Sequence, residues 1–209
     1  FIFILELIGT VAFASSGAMI AIEKKMDIFG VNVLGATTAV GGGIMRDIIL
    51  GLTPPGAFSH PVYVLVAALT STILFVIAYA KPTAFESRVK TDYYDKLMFW
   101  CDTAGLGIFT VVGIQAAVRA VGGENVFFFV FIGTLTGVGG GVLRDIMAGE
   151  TPYILVKHIY ACAAIAGGIV CVVGRTAFGE AYGTILGLAA TVLLRFLAAH
   201  FRWNLMRVS

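Results

Sequence analysis

Gly41-Gly42-Gly43-Ile44-Met45-Arg46-Asp47-Ile48-Ile49-Leu50-Gly51-Leu52-Thr53-Pro54 returns later in the chain as Gly139-Gly140-Gly141-Val142-Leu143-Arg144-Asp145-Ile146-Met147-Ala148-Gly149-Glu150-Thr151-Pro152. Nine of the fourteen positions are identical, at a constant offset of 98 residues. The same offset matches Gly9 with Gly107, Gly35 with Gly133, Thr38 with Thr136 and His60 with His158. The chain is an internal duplication, and the doubled segment decides how it folds.

The surrounding composition sets the solvent. Of 209 residues, 59% are hydrophobic and 12% charged, where a soluble domain carries about 25% charged residues. Mean hydropathy is +0.96. Seven apolar stretches separate at charged or turn-forming breaks, at residues 1–22, 28–51, 61–80, 97–119, 125–148, 154–174 and 182–201. Each has the length of a membrane helix, about 20 residues. Seven crossings use about 140 residues, so no soluble catalytic domain fits in the rest, and no nucleophile and base stand out as an enzyme's would. Cys101, Cys162 and Cys171 sit in apolar runs and read as buried free thiols. Metal and other cofactor chemistry has no anchor among three histidines and no Cys-x-x-Cys, and a net charge of +2 without a basic stripe disfavours nucleic acid. The first stretch lacks a positive leading segment, since Lys24 and Lys25 follow it, and reads as a retained helix.

Each copy of the repeat holds three crossings. An odd number makes the second copy start from the opposite side of the bilayer, so the halves are inverted about an axis in the membrane plane. The expected architecture is all-α and polytopic. Residues 1–80 form the first three-helix repeat, 81–96 a cytoplasmic loop, 97–174 the inverted repeat, and 182–209 a seventh helix with a short cytoplasmic tail. Lys24, Lys25, Lys81, Arg88, Lys90, Lys96, Lys157, Arg202 and Arg207 fall on one side, Arg119 and Arg175 on the other. That asymmetry puts the N-terminus outside and the C-terminus in the cytoplasm.

The motif carries the chemistry. Three consecutive glycines near the middle of spans 2 and 5 each cost roughly 1 kcal/mol of helix propensity and invite a kink or unwinding. Broken backbone inside a bilayer must be buried in protein or line a wet cavity, and paired broken helices at mid-depth are a common ion or substrate site. Close helix packing is the alternative use of such glycines. Gly41, Gly42, Gly43, Gly139, Gly140, Gly141, Thr38 and Thr136 are therefore the expected pore residues. Intramembrane charges face a bundle interior or aqueous cavity, and residues at i and i+1 do not face each other on a helix. Arg46 and Arg144 thus need partners from other helices, and depth predicts the pairs Glu6 with Arg46 and Asp102 with Arg144. Asp47 and Asp145 complete the pore charges. Arg195 is expected either to snorkel to the cytoplasmic surface or to meet an acid such as Asp145. Ser15, Ser16, Gly17 and Gln115 read chiefly as helix-contact residues, His60 and His158 as surface caps, Tyr93 and Tyr94 as an interfacial anchor, and Lys81, Arg88, Lys90 and Lys96 as topogenic charges.

The doubled Gly-Gly-Gly-x-x-Arg-Asp, its Gly-x-Thr-Pro ending and the three-plus-three-plus-one helix count resemble the trimeric intracellular cation (TRIC) channel family, in its short prokaryotic branch. The resemblance covers essentially the whole length. It implies a homotrimer in the inner (plasma) membrane of a prokaryote, each protomer with its own hourglass pore for monovalent cations, chiefly K+ with Na+ as the further candidate, between bent second and fifth spans. Gly41, Gly42, Gly43, Arg46, Asp47, Gly139, Gly140, Gly141, Arg144 and Asp145 would surround that pore. The chain lacks the Lys-Glu-Val stretch and longer tail of the animal relatives, so their phosphoinositide dependence is not carried over. Bacterial members of the same domain family are also classed as glycine transporters, which keeps a carrier for a small amino acid as the alternative.

Overall fold

The computed structural model describes residues 1–80, 92–123, 125–156 and 159–203. Lys81, Arg88, Lys90, Lys157, His158 and Arg207, assigned above to loops and surface roles, lie outside them, as does the side chain of Tyr93. The described residues form α1 (Ile2–Glu23), α2 (Ile28–Ile49), the short α3 (Gly56–Ser59), α4 (Val62–Ala80), α5 (Asp92–Val121), α6 (Val126–Met147), the short α7 (Tyr153–Val156), α8 (Tyr160–Phe178) and α9 (Glu180–His200). Seven of these helices are long and apolar enough to cross a membrane. No strand occurs among the described residues. α5 starts at Asp92, several residues ahead of the boundary read from hydropathy.

The repeat is written into both ends of its central helix. Asp27 caps α2 by accepting from Gly30 N–H at 2.8 Å, and Asn125, 98 residues on, caps α6 by accepting from Phe128 N–H at 3.0 Å. Both residue types suit this place because a short polar side chain satisfies an orphan amide of the first turn. At the other end Gly51 and Gly149 take φ of +70° and +71°. The following amides then return to Asp47 O (2.8 Å) and Asp145 O (2.9 Å), a Schellman closure that needs glycine's access to positive φ. This explains the glycine of the Gly-x-Thr-Pro ending.

Two surface ion pairs fix the directions. Lys24 after α1 meets Glu150 after α6 at 2.6 Å, and Arg119 near the end of α5 meets Glu180 at the start of α9 at 2.8 Å. α1 and α6 therefore end on one face and α5 on the other, so α1–α4 and α5–α8 are inverted copies, with α2 packed on α6 at the pseudo-axis and α1 on α5. The face where α1 begins is called the N-terminal face below, and the one where α9 ends the C-terminal face.

Lipid tails are as apolar as leucine, so these helices associate through close packing more than through burial of apolar surface. Leu65, Leu69, Ile73 and Val76 of α4 stay exposed along the outside. Inside, the small residues meet. A Cβ on Gly42 would collide with the carbonyl oxygen of Thr136, and one on its mate Gly140 with that of Thr38.

The candidate conduction site

That crossing corrects the expectation of unwinding. α2 and α6 run as continuous helices through both triplets, with neither unwound. Breaking backbone hydrogen bonds in a bilayer is costly, and here glycine's weak propensity is offset by the close approach it permits. Gly41, Gly42, Gly139, Gly140 and Gly141 are buried, and Gly43 is half-buried. Thr38 and Thr136 flank the contact with their hydroxyls turned onto their own helices, donating to Leu34 O at 2.6 Å and Ile132 O at 2.7 Å. They stand at the α1–α2 and α5–α6 contacts, where Gly17 and Gly113 leave room for them.

Above the crossing, toward the N-terminal face, lies a cavity of about 280 Å³. Gly43, Ala39, Val40 and Phe109 line its apolar part, and Glu6, Arg46, Asp47, His60 and Tyr63 supply its polar groups. Arg46 does not pair with Glu6. Its Nε donates to Asp47 Oδ1 at 2.8 Å, and Glu6 accepts instead from Tyr63 Oη at 2.5 Å. Arginine is long enough to fold sideways onto its sequence neighbour, which the rule about facing positions overlooks. Asp47 is also held still, because its second oxygen accepts from Gly56 N–H at 2.7 Å.

Below the crossing the mirrored residues are packed shut. Arg144 is fully buried, with Nη1 2.7 Å from Asp102 Oδ1 and 2.5 Å from Ser16 Oγ. The pair of Asp102 with Arg144 is as expected from depth. Nε and Nη2 both lie 2.8 Å from Asp145 Oδ1, again a neighbour contact, and Asp145 Oδ2 accepts from Tyr153 N–H at 2.7 Å. In the first repeat the corresponding position is Pro55, which has no N–H, so Asp47 takes the next amide, Gly56.

One pair forms and the other does not for a geometric reason. At the 98-residue offset Asp102 corresponds to Ile4 and Glu6 to Ala104. The two carboxylates are two positions out of register, about 200° around a helix.

Three other expectations change. Arg195 does not snorkel, and among the described residues it meets no acid; it is buried, 4.8 Å from the ring centre of Tyr160, 4.9 Å from Phe99 and 5.9 Å from Tyr153. Tyr94 is buried and donates to Met19 O at 2.7 Å, tying α5 to α1 rather than sitting among headgroups. Of the cysteines only Cys171 is buried; Cys101 is half-buried and Cys162 exposed, all three free. Gln115 does join helices, donating to Thr184 Oγ1 at 2.8 Å. Tyr63, Tyr160 and the anchoring roles of Asp47 and Asp145 escaped the sequence reading. A tyrosine at the start of an apolar span looks like any interfacial aromatic until the carboxylate opposite is known.

The comparisons agree with this architecture. The family model described as Glycine transporter matches residues 3–79 and 99–176. The inner membrane protein YadS of Escherichia coli K12, of family UPF0126, is 37% identical over 203 residues, covering 96% of this chain and 92% of that protein. YvgT of Bacillus subtilis, another UPF0126 membrane protein, is 33% identical over 202 residues, covering 97% and 94%. A structure solved to explain conductance through TRIC cation channels matches at TM-score 0.83 and 36% identity, covering 99% of this chain and 96% of that one. The TRIC orthologue of Rhodobacter sphaeroides matches at TM-score 0.85 and 32% identity, covering 97% and 98%. With its inverted three-helix repeats, seven membrane-spanning helices and mirrored Arg-Asp pairs, the chain belongs to the UPF0126 glycine-transporter family and to the short prokaryotic branch of the TRIC channels.

Proposed function

We propose that the protein is a monovalent cation channel, with K+ as its chief ion, working as a homotrimer in a bacterial inner membrane. Each protomer has its own pore between α2 and α6, with the N-terminus outside and the C-terminus in the cytoplasm. The observation that carries the reading is the vestibule above Gly43. It holds the carboxylates of Glu6 and Asp47 against the single guanidinium of Arg46, an excess of negative charge that concentrates cations at a pore mouth. The structural neighbours, described as cation channels, support it. On this reading Gly41, Gly42, Gly43, Gly139, Gly140, Gly141, Thr38 and Thr136 form the neck, and Arg46, Asp47, Glu6, Arg144, Asp145 and Asp102 are the charges at its two ends. The α2–α6 contact closes the neck in the conformation described, so conduction requires the halves to separate. Purified protein in planar bilayers under a KCl gradient should give a reversal potential close to that for K+. A reversal at zero, or no current at any voltage, overturns the proposal.

A second reading, a carrier for a small zwitterion such as glycine, is favoured by the family description and by the presence of Arg46 and Glu6 on one cavity. A guanidinium for the carboxylate and a carboxylate for the ammonium are what such a substrate needs. Saturable glycine uptake into liposomes without channel currents would select it.

A further inference from the structure

The two halves of the duplication end differently. In the first, Arg46 opens onto the cavity, and a Cβ added at Gly43 would have only Arg46 Nη2, at 3.9 Å, near it. In the second, a Cβ added at Gly141 would lie 3.5 Å from Tyr160 Oη and 3.7 Å from Arg144 Nη2. Tyr160 fills the space that its counterpart leaves empty.

Neither residue responsible for this is repeated in the other half. At the 98-residue offset Tyr160 corresponds to Val62, whose side chain is too short to reach across. Arg195 has no counterpart at all, because α9 lies outside the repeat. Its guanidinium carbon sits 4.8 Å from the centre of the Tyr160 ring, with Phe99 and Tyr153 completing an aromatic box. Arg195 is 1% exposed. Among the described residues its Nε and Nη2 have no hydrogen-bond acceptor, and no carboxylate lies within ion-pair distance. Three aromatic faces pack against the guanidinium, and a cation–π contact is strongest when the cation has lost its water.

We infer that Arg195 of α9 is a positioning residue that holds Tyr160 across the C-terminal-face half of the path, shutting that half while the N-terminal-face half stays open. Gating at this end then answers to α9, and two inverted copies acquire unequal ends. The functional consequence rests on the channel reading; the position of Tyr160 does not.

The test therefore has two readouts, hydroxyl-radical labelling of Tyr160 in liposomes and single-channel recording. Arg195→Gln should raise Tyr160 labelling roughly tenfold and increase open probability by a similar factor, with unitary current and reversal potential unchanged. Arg195→Lys, which keeps a cation over the ring, should stay close to wild type. Tyr160→Val should raise open probability as Arg195→Gln does, and the double variant should go no further than either, because both act at one contact. A folded Arg195→Gln protein with wild-type labelling overturns the inference. If Arg195→Gln fails to assemble, Tyr160→Val decides: wild-type open probability there overturns the inference equally. Raised labelling in a protein that never conducts supports the inference and removes the channel reading.

Discussion

Arg144 and Asp102 form an ion pair below the α2–α6 crossing, 2.7 Å between Nη1 and Oδ1, with both residues nearly sealed from solvent. The repeat mate of Arg144, Arg46, has among the described residues only its neighbour Asp47 as an ion-pair partner and stands beside a cavity. One duplicated motif thus serves as a buried strut in one half and as a charged wall in the other.

That difference predicts unequal costs. Removing Asp102 takes one of two carboxylates from a fully buried guanidinium, leaving Asp145 alone to balance it, and losing a hydrogen bond between charged groups costs about 1.5–3 kcal/mol. Asp102→Ala should lower the thermal midpoint in detergent sharply. Glu6→Gln, which keeps a hydrogen-bonding group for Tyr63 at a half-buried place, should cost about 1 kcal/mol or less. Equal losses in the two variants would refute the strut.

The glycines of the triplets are not equivalent either. Gly42→Ala and Gly140→Ala each push a methyl group into a backbone carbonyl on the facing helix, and overpacking of this kind costs about 1–3 kcal/mol. Gly43→Ala meets nothing closer than 3.9 Å and should be neutral, or stabilising by up to about 1 kcal/mol through helix propensity. Denaturation of the three variants side by side gives the ranking.

Charge at the vestibule should appear in conductance. With Glu6→Gln the unitary K+ current should fall at low ionic strength and converge with wild type near 1 M KCl, where the screening length shrinks to about 3 Å. A loss that persists at high salt would mean that Glu6 acts by contact with the ion, not by its field.

The Lys24–Glu150 pair joins the two repeats at the C-terminal face. Its hydrogen bond to Glu150 raises the Lys24 pKa above the ordinary lysine value. A raised lysine pKa contributes stability that is fully present below the unfolded-state value and is lost as pH rises through the folded-state one. Glu150→Gln should therefore match wild type in the shape of its stability profile through neutral pH and differ only in the alkaline range. The pair is solvent-exposed and salt-screened, so 1 M salt should erase the difference. A step near neutrality would assign the pH response to another group.

Much of this was legible in the chain. The 98-residue offset dictates two inverted three-helix units because it repeats caps, glycine closures and apolar lengths together, and each of those acts locally, within a turn or a span. The depth of Asp102 and Arg144 along their helices foretold their pairing. Rotation about a helix axis, and the identity of the neighbour reached, were decided only in three dimensions. Glu6 stands two positions out of register with Asp102, so Tyr63 captures it. Arg195 reads as a snorkelling residue until α9 is packed against Phe99 and Tyr160. The triplets look like breaks until the facing carbonyls of Thr38 and Thr136 show how closely their backbones lie. Sequence determined periodicity and depth, since these follow from covalent spacing and the thickness of the bilayer; packing between helices decided which side chains meet, since a shift of one residue turns a side chain by about 100° and changes its partner.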